Sequence, residues 1–272
     1  MVTFFKFLLK RFLFSLGFSV YRMSRSSQLN SLVELVRNHS VTVELIRVGS
    51  ESDGGYLVPI VVSQLDYCFS PGVSDSVAFE RHLAKDYGIR SYMIDASIDQ
   101  LPERSEFYNF SKKFLGTNTD ENFITLSSWI SMCLADDNFK GILQMDIEGG
   151  EYDILAFESA ESLSRFSVMV IEFHNLERLF DPNFALIFQS ILHKIFINFS
   201  ICHLHPNNCC GIATFNGVAV PRVLEITFIR NDLLDSTHKP GLNLPHTLDC
   251  ANDISVRDLQ MPEIWWKQKH KD

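Results

Sequence analysis

LQMDIEGGEYDIL, residues 143–155, decides the fold. An apolar run meets an acid at Asp146, crosses Gly149 and Gly150, and resumes as an apolar helical pattern, so it reads as strand, tight turn and helix. Asp146, Glu148 and Glu151 are crowded there, which is costly unless the acids are solvated, bonded to backbone N–H groups or bound to a cation. Glu151 would complement the positive end of the helix that follows. That does not explain Asp146, at the strand end.

Working outward, the same grammar recurs. FSPGVSDSVAFE (69–80) runs a strand into Gly72 and then a helix that Gly88 ends, and SYMIDAS (91–97) is a strand closing on Asp95. NFSKKFLG (109–116) reads as a further strand, residues 124–137 as a helix starting near Ser127 or Ser128, and residues 183–198 as a long apolar helix. FSVMVIEFH (166–174) and RVLEITFIRND (222–232) read as strands and ICHLHPNNCC (201–210) as a strand ending in a loop; VELIRVG (43–49) is another strand, followed by a turn-rich segment, Ser50–Pro59. Strands alternating with helices imply a mostly parallel sheet covered on both faces, with ligands at the strand ends near the topological switch point. Residues 1–27 read as a basic apolar appendage, 28–240 as the sheet domain and 241–272 as a tail packed on it.

Composition narrows the function. Of 272 residues, 46% are hydrophobic and 21% charged, which excludes a disordered chain. Six cysteines lack the density and spacing of a disulfide scaffold and point to a reducing, cytoplasmic setting. The net charge of −9 argues against a nucleic-acid partner. Residues 1–25 contain five Lys or Arg and no acid, leaving the rest with 19 basic and 33 acidic residues, a net −14. The first segment interleaves Phe and Leu with Lys6, Lys10 and Arg11, too interrupted for a membrane span or a secretory leader. It fits an amphipathic helix making peripheral contact with an anionic membrane face, or one docked on a protein surface.

Gly72 lets backbone approach a ligand at a helix N-terminus, and an acid about 20 residues on, here Asp95, suits ribose hydroxyls. That pair implies an adenosine-containing ligand without separating NAD from S-adenosylmethionine. An NAD-dependent sugar dehydrogenase would leave the DIEGGE segment without a role.

FSPGVSDSVAFE, YMIDAS, LQMDIEGGEYDIL and VMVIEFH, in this order, resemble the FkbM family of S-adenosylmethionine-dependent methyltransferases, with IRVGSESDGGYLVP, HLHPNN and LEITFIR extending the likeness over residues 44–230. The resemblance implies a class I methyltransferase (Rossmann-like) fold, a seven-stranded mostly parallel sheet with the last strand antiparallel and LEITFIR one of the two terminal strands. It implies an O-methyltransferase acting on a sugar, glycan or glycolipid hydroxyl. In its terms Pro71, Gly72, Val73, Ser74, Asp95, Ala96 and Asp146 would contact the cofactor, Asn118–Asn122 would approach the adenine, and Asp53, Gly54, Gly55 and Tyr56 would form a loop over the cleft on the substrate side. Ser70 stands where many such enzymes carry an acid.

A sugar hydroxyl needs a general base or a metal to become a nucleophile. Glu172 and His174 share a strand face, as do His203 and His205, so Asp146, Glu172, His174 and His205 could converge on the acceptor. His174 is the expected base with His205 assisting. A divalent cation on Asp146, Glu172 and His174 is the variant, its mixed ligands favouring Mn, Fe or Zn over Mg. Cys209 and Cys210 lack zinc-site spacing and read as free thiols. Trp265 and Trp266 read as fastenings of the tail rather than a sugar platform. A methyltransferase-like scaffold without catalysis is the alternative from another class.

Overall fold

In strands covered on both faces, alternate residues must suit two different environments. Met169, Ile171 and Phe173 join a large apolar cluster with the helices, whereas Val168 and Val170 join a second cluster on the other face. This computed structural model describes residues 2–18, 20, 22–136 and 139–267. In chain order the elements used below are helices α1 (Val2–Ser15) and α2 (Ser26–Asn38); strands β1 (Leu45–Gly49), β2 (Gly55–Pro59) and β3 (Tyr67–Pro71); α3 (Ala78–Tyr87); β4 (Arg90–Ile94) and β5 (Tyr108–Ser111); α4 (Leu126–Cys133); β6 (Gly141–Met145); α5 (Glu151–Phe157); β7 (Val168–Phe173); α6 (Pro182–Ile195); β8 (Phe199–Pro206); β9 (Ile212–Phe215), β10 (Val218–Pro221) and β11 (Leu224–Arg230).

Seven of these strands form one sheet in the order β8-β11-β7-β6-β3-β4-β5. β3, β4, β5, β6 and β7 pair in parallel, while β11 lies antiparallel between β7 and β8. LEITFIR is thus the antiparallel strand, and the chain has the class I methyltransferase fold. The order reverses between β3 and β6, so the crevice for a ligand opens beyond Pro71 and Met145. Helices α2, α4, α5 and α6 pack on one face. The antiparallel β1–β2 hairpin and α3 cover the other through Val48, Val58, Phe79 and Leu83 against Cys68, Ile142 and Val170.

Local chemistry explains the boundaries. α3 stops at Gly88, left-handed at φ +68°. α4 starts at Leu126, ahead of Ser127 and Ser128, because Thr125 accepts the Ser128 N–H as its cap, and it ends at Cys133, short of the expected residue 137, which itself lies outside the described residues. Residues 50–59 are not turn throughout: the last five form β2, whose glycines and proline mask its buried pattern. The β9–β10 hairpin was not anticipated, although Asn216-Gly217, both left-handed, carries the usual signal between apolar runs. The tail is mostly irregular yet contributes Leu242, Leu244, Met261 and Trp265 to the main core. Trp265 is fully buried with Nε1 donating to the Ala219 carbonyl at 2.8 Å, a fastening and not a platform.

The turns that follow β3 and β6 touch at one glycine. Gly72 takes φ +86°, and a Cβ there would lie 1.7 Å from the carbonyl oxygen of Asp146. Gly88 also has positive φ, but its Cβ direction is empty. Chemical denaturation should therefore show Gly72→Ala losing about 3 kcal/mol or more and Gly88→Ala about 1 kcal/mol. Equal losses would mean that the Gly72 contact does not constrain the crevice.

Candidate active site

The residues beyond β3, β4 and β6 enclose a cavity of about 370 Å³. Its walls include Gly72, Val73, Ser74, Asp95 and Asp146, together with Asp53, Gly54 and Tyr56 from the hairpin. Asp95, only 7% exposed, receives the Ser74 N–H at 3.0 Å on one oxygen and the Ser97 N–H and hydroxyl at 2.7 and 2.6 Å on the other. Pro71 stands behind the wall, its carbonyl accepting the Asp146 N–H at 3.4 Å, and Ala96 is not on the lining. Nor is the Asn118–Asn122 run: Asp120 accepts the Asn122 and Phe123 N–H groups in a turn, and Phe114 and Leu115 occupy the wall instead.

Sequence reasoning missed Glu80. It lies in the first turn of α3, where an acid reads as an ordinary dipole complement. In the structure it is buried on the cavity wall, and burial raises its pKa. Ser70 contacts both Glu80 Oε1 and Gln144 Oε1, the latter at 2.5 Å. Ser70 Oγ thus ties the Glu80 carboxyl and the Gln144 amide together inside the wall. Gln144 Nε2 continues the chain to the Tyr56 hydroxyl at 3.4 Å. Burial, then Glu172 and Asp146, keep that phenol protonated.

A second cavity, of about 330 Å³, adjoins the first and shares Asp53, Asp146 and Glu148 with it. Glu172, His174, Asn207 and the tail residues Asn252 and Asp253 complete the part that matters here. Glu148 reaches the rim through a left-handed φ of +56°, followed by Gly149 at +106°. Glu151, with no solvent exposure, ties this turn together. Its Oε1 accepts the Ile147 and Gly149 N–H groups at 3.2 and 3.1 Å and lies 3.0 Å from His174 Nδ1. The Nδ1 proton of His174 is therefore committed to Glu151, and Nε2 faces the cavity. Around Nε2 stand Glu148 at 3.5 Å, Asp146 at 3.7 Å and Glu172 at 3.9 Å.

The electrostatics follow from that crowding. Burial alone would lower the His174 pKa, but Glu151, Asp146 and Glu148 outweigh it and raise it. Burial, reinforced by Glu148 and Asp53 and opposed by His174, lifts Asp146 to about 7. Glu172 is raised by burial and by Asp146; one oxygen accepts from Asn207 Nδ2 at 2.9 Å and the other has no partner. Among the described residues, no Lys or Arg lines either cavity.

The two sheet histidines do not join this group. His205 lies between Glu225 and Asp258, 3.3 Å from each, and His203 is 3.0 Å from Asp249. Neither lines either cavity, so the assisting role expected for His205 is not where the structure puts it. The register explains this: His205 pairs with Glu225, which pairs with Glu172, so a whole strand separates His205 from Glu172. The tail, which the sequence pattern left without a role, reaches the site through Asn252, whose Nδ2 bridges Glu225 Oε1 at 2.6 Å and Asp53 Oδ1 at 3.3 Å. Cys209 and Cys210 lie at the rim as free thiols, Cys209 pushed up to about 12 by burial and by Cys210, which disfavours thiolate ligation.

No protein-family model and no curated protein matches the chain, so the FkbM resemblance rests on the motifs quoted above. Similar solved structures include a fibrillarin/Nop5p complex (14% identity, TM-score 0.36, covering 71% of this chain and 98% of that one). Others are the 23S rRNA methyltransferase ErmE (8%, 0.33, 80% and 73%) and a SAM-dependent methyltransferase from Archaeoglobus fulgidus (12%, 0.31, 62% and 87%). Overlaps this loose add nothing to the strand order described above.

His205 gives the chain a pH-dependent stability. Burial would lower its pKa, but Glu225 foremost raises it to about 9. A raised pKa stabilises fully below the unfolded value, about 6.5, and the gain is lost as pH rises through about 9. Denaturation midpoints should therefore fall between pH 6.5 and 9 in the wild type, and fall less in His205→Gln. A slope unchanged in the variant would remove His205 as its source.

Proposed function

We propose that the chain is an S-adenosylmethionine-dependent O-methyltransferase whose acceptor is a neutral, polyhydroxylated molecule, a sugar, glycan or glycolipid. The observation that carries this reading is the junction of the two cavities at Asp146, with His174 Nε2 facing the second one.

The first cavity fits the cofactor. Its volume is within the usual range for small-ligand sites, and Asp95 closes the strand next to the switch point, where a ribose would meet an acid. Gly72 keeps the backbone close, Phe114 and Leu115 would form the wall beside the adenine, and Glu80 would meet the amino group of the methionine end. A cavity lined with carboxylates and free of Lys or Arg suits a sulfonium cation. When bound, the cofactor supplies an electrophilic methyl group.

The chain's own residues do the rest. Displacement at a methyl group demands alignment, which the opposed cavities provide. His174 Nε2 takes the acceptor's hydroxyl proton while Glu151 holds Nδ1 and stabilises the imidazolium that forms. Asp146 and Glu172 accept hydrogen bonds from neighbouring hydroxyls, and Asn207 donates one through the Nδ2 proton that Glu172 leaves free. The same acidic wall repels phosphorylated or carboxylated acceptors. A scaffold without catalysis would leave the buried Glu151–His174 pair without a purpose.

A second reading has its own observation. Asp146, Glu148 and His174 each offer an atom within 4.8 Å of the others, enough to hold a divalent cation that acidifies the hydroxyl. Glu148 takes the place expected for Glu172, which is 3.9 Å from His174. Titration with Mn²⁺ separates the two. Micromolar binding lost in Asp146→Asn favours the cation, and activity undiminished by chelators favours His174 as base.

Calorimetric titration with S-adenosylmethionine and S-adenosylhomocysteine should give micromolar binding, weakened about tenfold to a hundredfold in Asp95→Ala. A folded protein that binds neither molecule refutes the methyltransferase reading. Methyl transfer to sugar acceptors should rise with pH along a limb displaced upward from that of an ordinary histidine, since Glu151 and Asp146 raise the His174 pKa. Glu151→Gln should cut kcat about a hundredfold and move that limb to lower pH. An unmoved limb would exclude His174 as the base.

A further inference from the structure

The first helix is the part of the molecule that the catalytic reading leaves unexplained. α1 carries Phe4, Phe5, Leu8, Leu9 and Phe12 in positions four apart along one side, each 46–68% exposed. Lys6 and Lys10, also four apart, are turned away from that side, and Arg11 lies over the Phe7 ring at 5.8 Å. Contiguous exposed aromatic residues are costly in water and mark an interaction surface. No helix here is long and apolar enough to cross a membrane, among the described residues.

Charge selects what covers this face. Five Lys or Arg and no acid occupy residues 1–25, whereas the rest of the chain carries a net −14. An anionic bilayer offers, side by side, an apolar layer for the Phe and Leu face and negative headgroups for Lys6, Lys10 and Arg11, whose stems reach the headgroups while the rings remain buried. It repels the acidic body, so contact is restricted to the helix. We infer that α1 lies in the plane of an anionic membrane surface, aromatic face down, and holds the acidic domain beside it. A second copy of the chain is the competing cover, because its acidic body also attracts a basic helix.

Co-sedimentation of the purified full chain with vesicles tests this. Phosphatidylcholine vesicles containing phosphatidylglycerol should bind the protein and pure phosphatidylcholine vesicles should bind it far less. Each basic residue near such a surface contributes about fivefold, so Lys6→Gln/Lys10→Gln/Arg11→Gln together should weaken binding about a hundredfold. Phe5→Ser/Phe12→Ser should abolish binding while circular dichroism shows the domain still folded. Wild type left in the supernatant overturns the proposal, as does equal binding to neutral vesicles. So does a dimer in analytical ultracentrifugation that Phe5→Ser/Phe12→Ser dissolves, which would identify a second copy as the partner.

Discussion

Where the strand order reverses, Gly72 rests against the carbonyl oxygen of Asp146, too close for any side chain. The two βα turns meet there, and the cleft exists because they do. β3 delivers Gly72 and Ser74 to one side, β6 delivers Asp146 and Glu148 to the other, and Asp95 follows on the neighbouring strand. A parallel sheet spreads its strand ends apart on either side of such a point. The glycine sets how closely the cavity's two walls approach.

The same sheet also divides its faces by chemistry. Toward the strand ends, the face under the hairpin exchanges Cys68, Ile142 and Val170 for Ser70, Gln144 and Glu172. Burial makes each of these groups depend on a partner. Glu80 meets Ser70, Glu172 meets Asn207, and His174 meets Glu151. Burial first, and then the neighbouring carboxylates, raises both Asp146 and Glu172, and Asp146, lifted to about 7, can exchange a proton near neutrality. That surplus of acceptor oxygens is consistent with the proposed transfer of a methyl group from a sulfonium to a hydroxyl.

Sheet and switch point were legible because local pattern fixes them. Apolar runs ending in Gly72, Asp95 and Asp146 mark strand ends whatever the rest of the chain does. The His174–Asp146 neighbourhood was legible too, since β6 and β7 are adjacent and in register. What stayed hidden depends on contacts across long sequence separations. Glu151 looked like a helix-start acid until His174, 23 residues on, came to lie at its oxygen. Asn252 reaches Asp53 over 199 residues, from a tail with no periodicity to read. His205 alternates correctly for its strand, but β11 inserts between β7 and β8 and carries it away from Glu172. That insertion is a property of topology, not of spacing.

The most direct measurement is the structure of the full chain with S-adenosylhomocysteine bound. The account predicts the ribose hydroxyls on Asp95, the adenine against the wall formed by Phe114 and Leu115, and the sulfur turned toward Asp146 and the His174 cavity. A nucleoside bound elsewhere, or a sulfur turned away from His174, would contradict it.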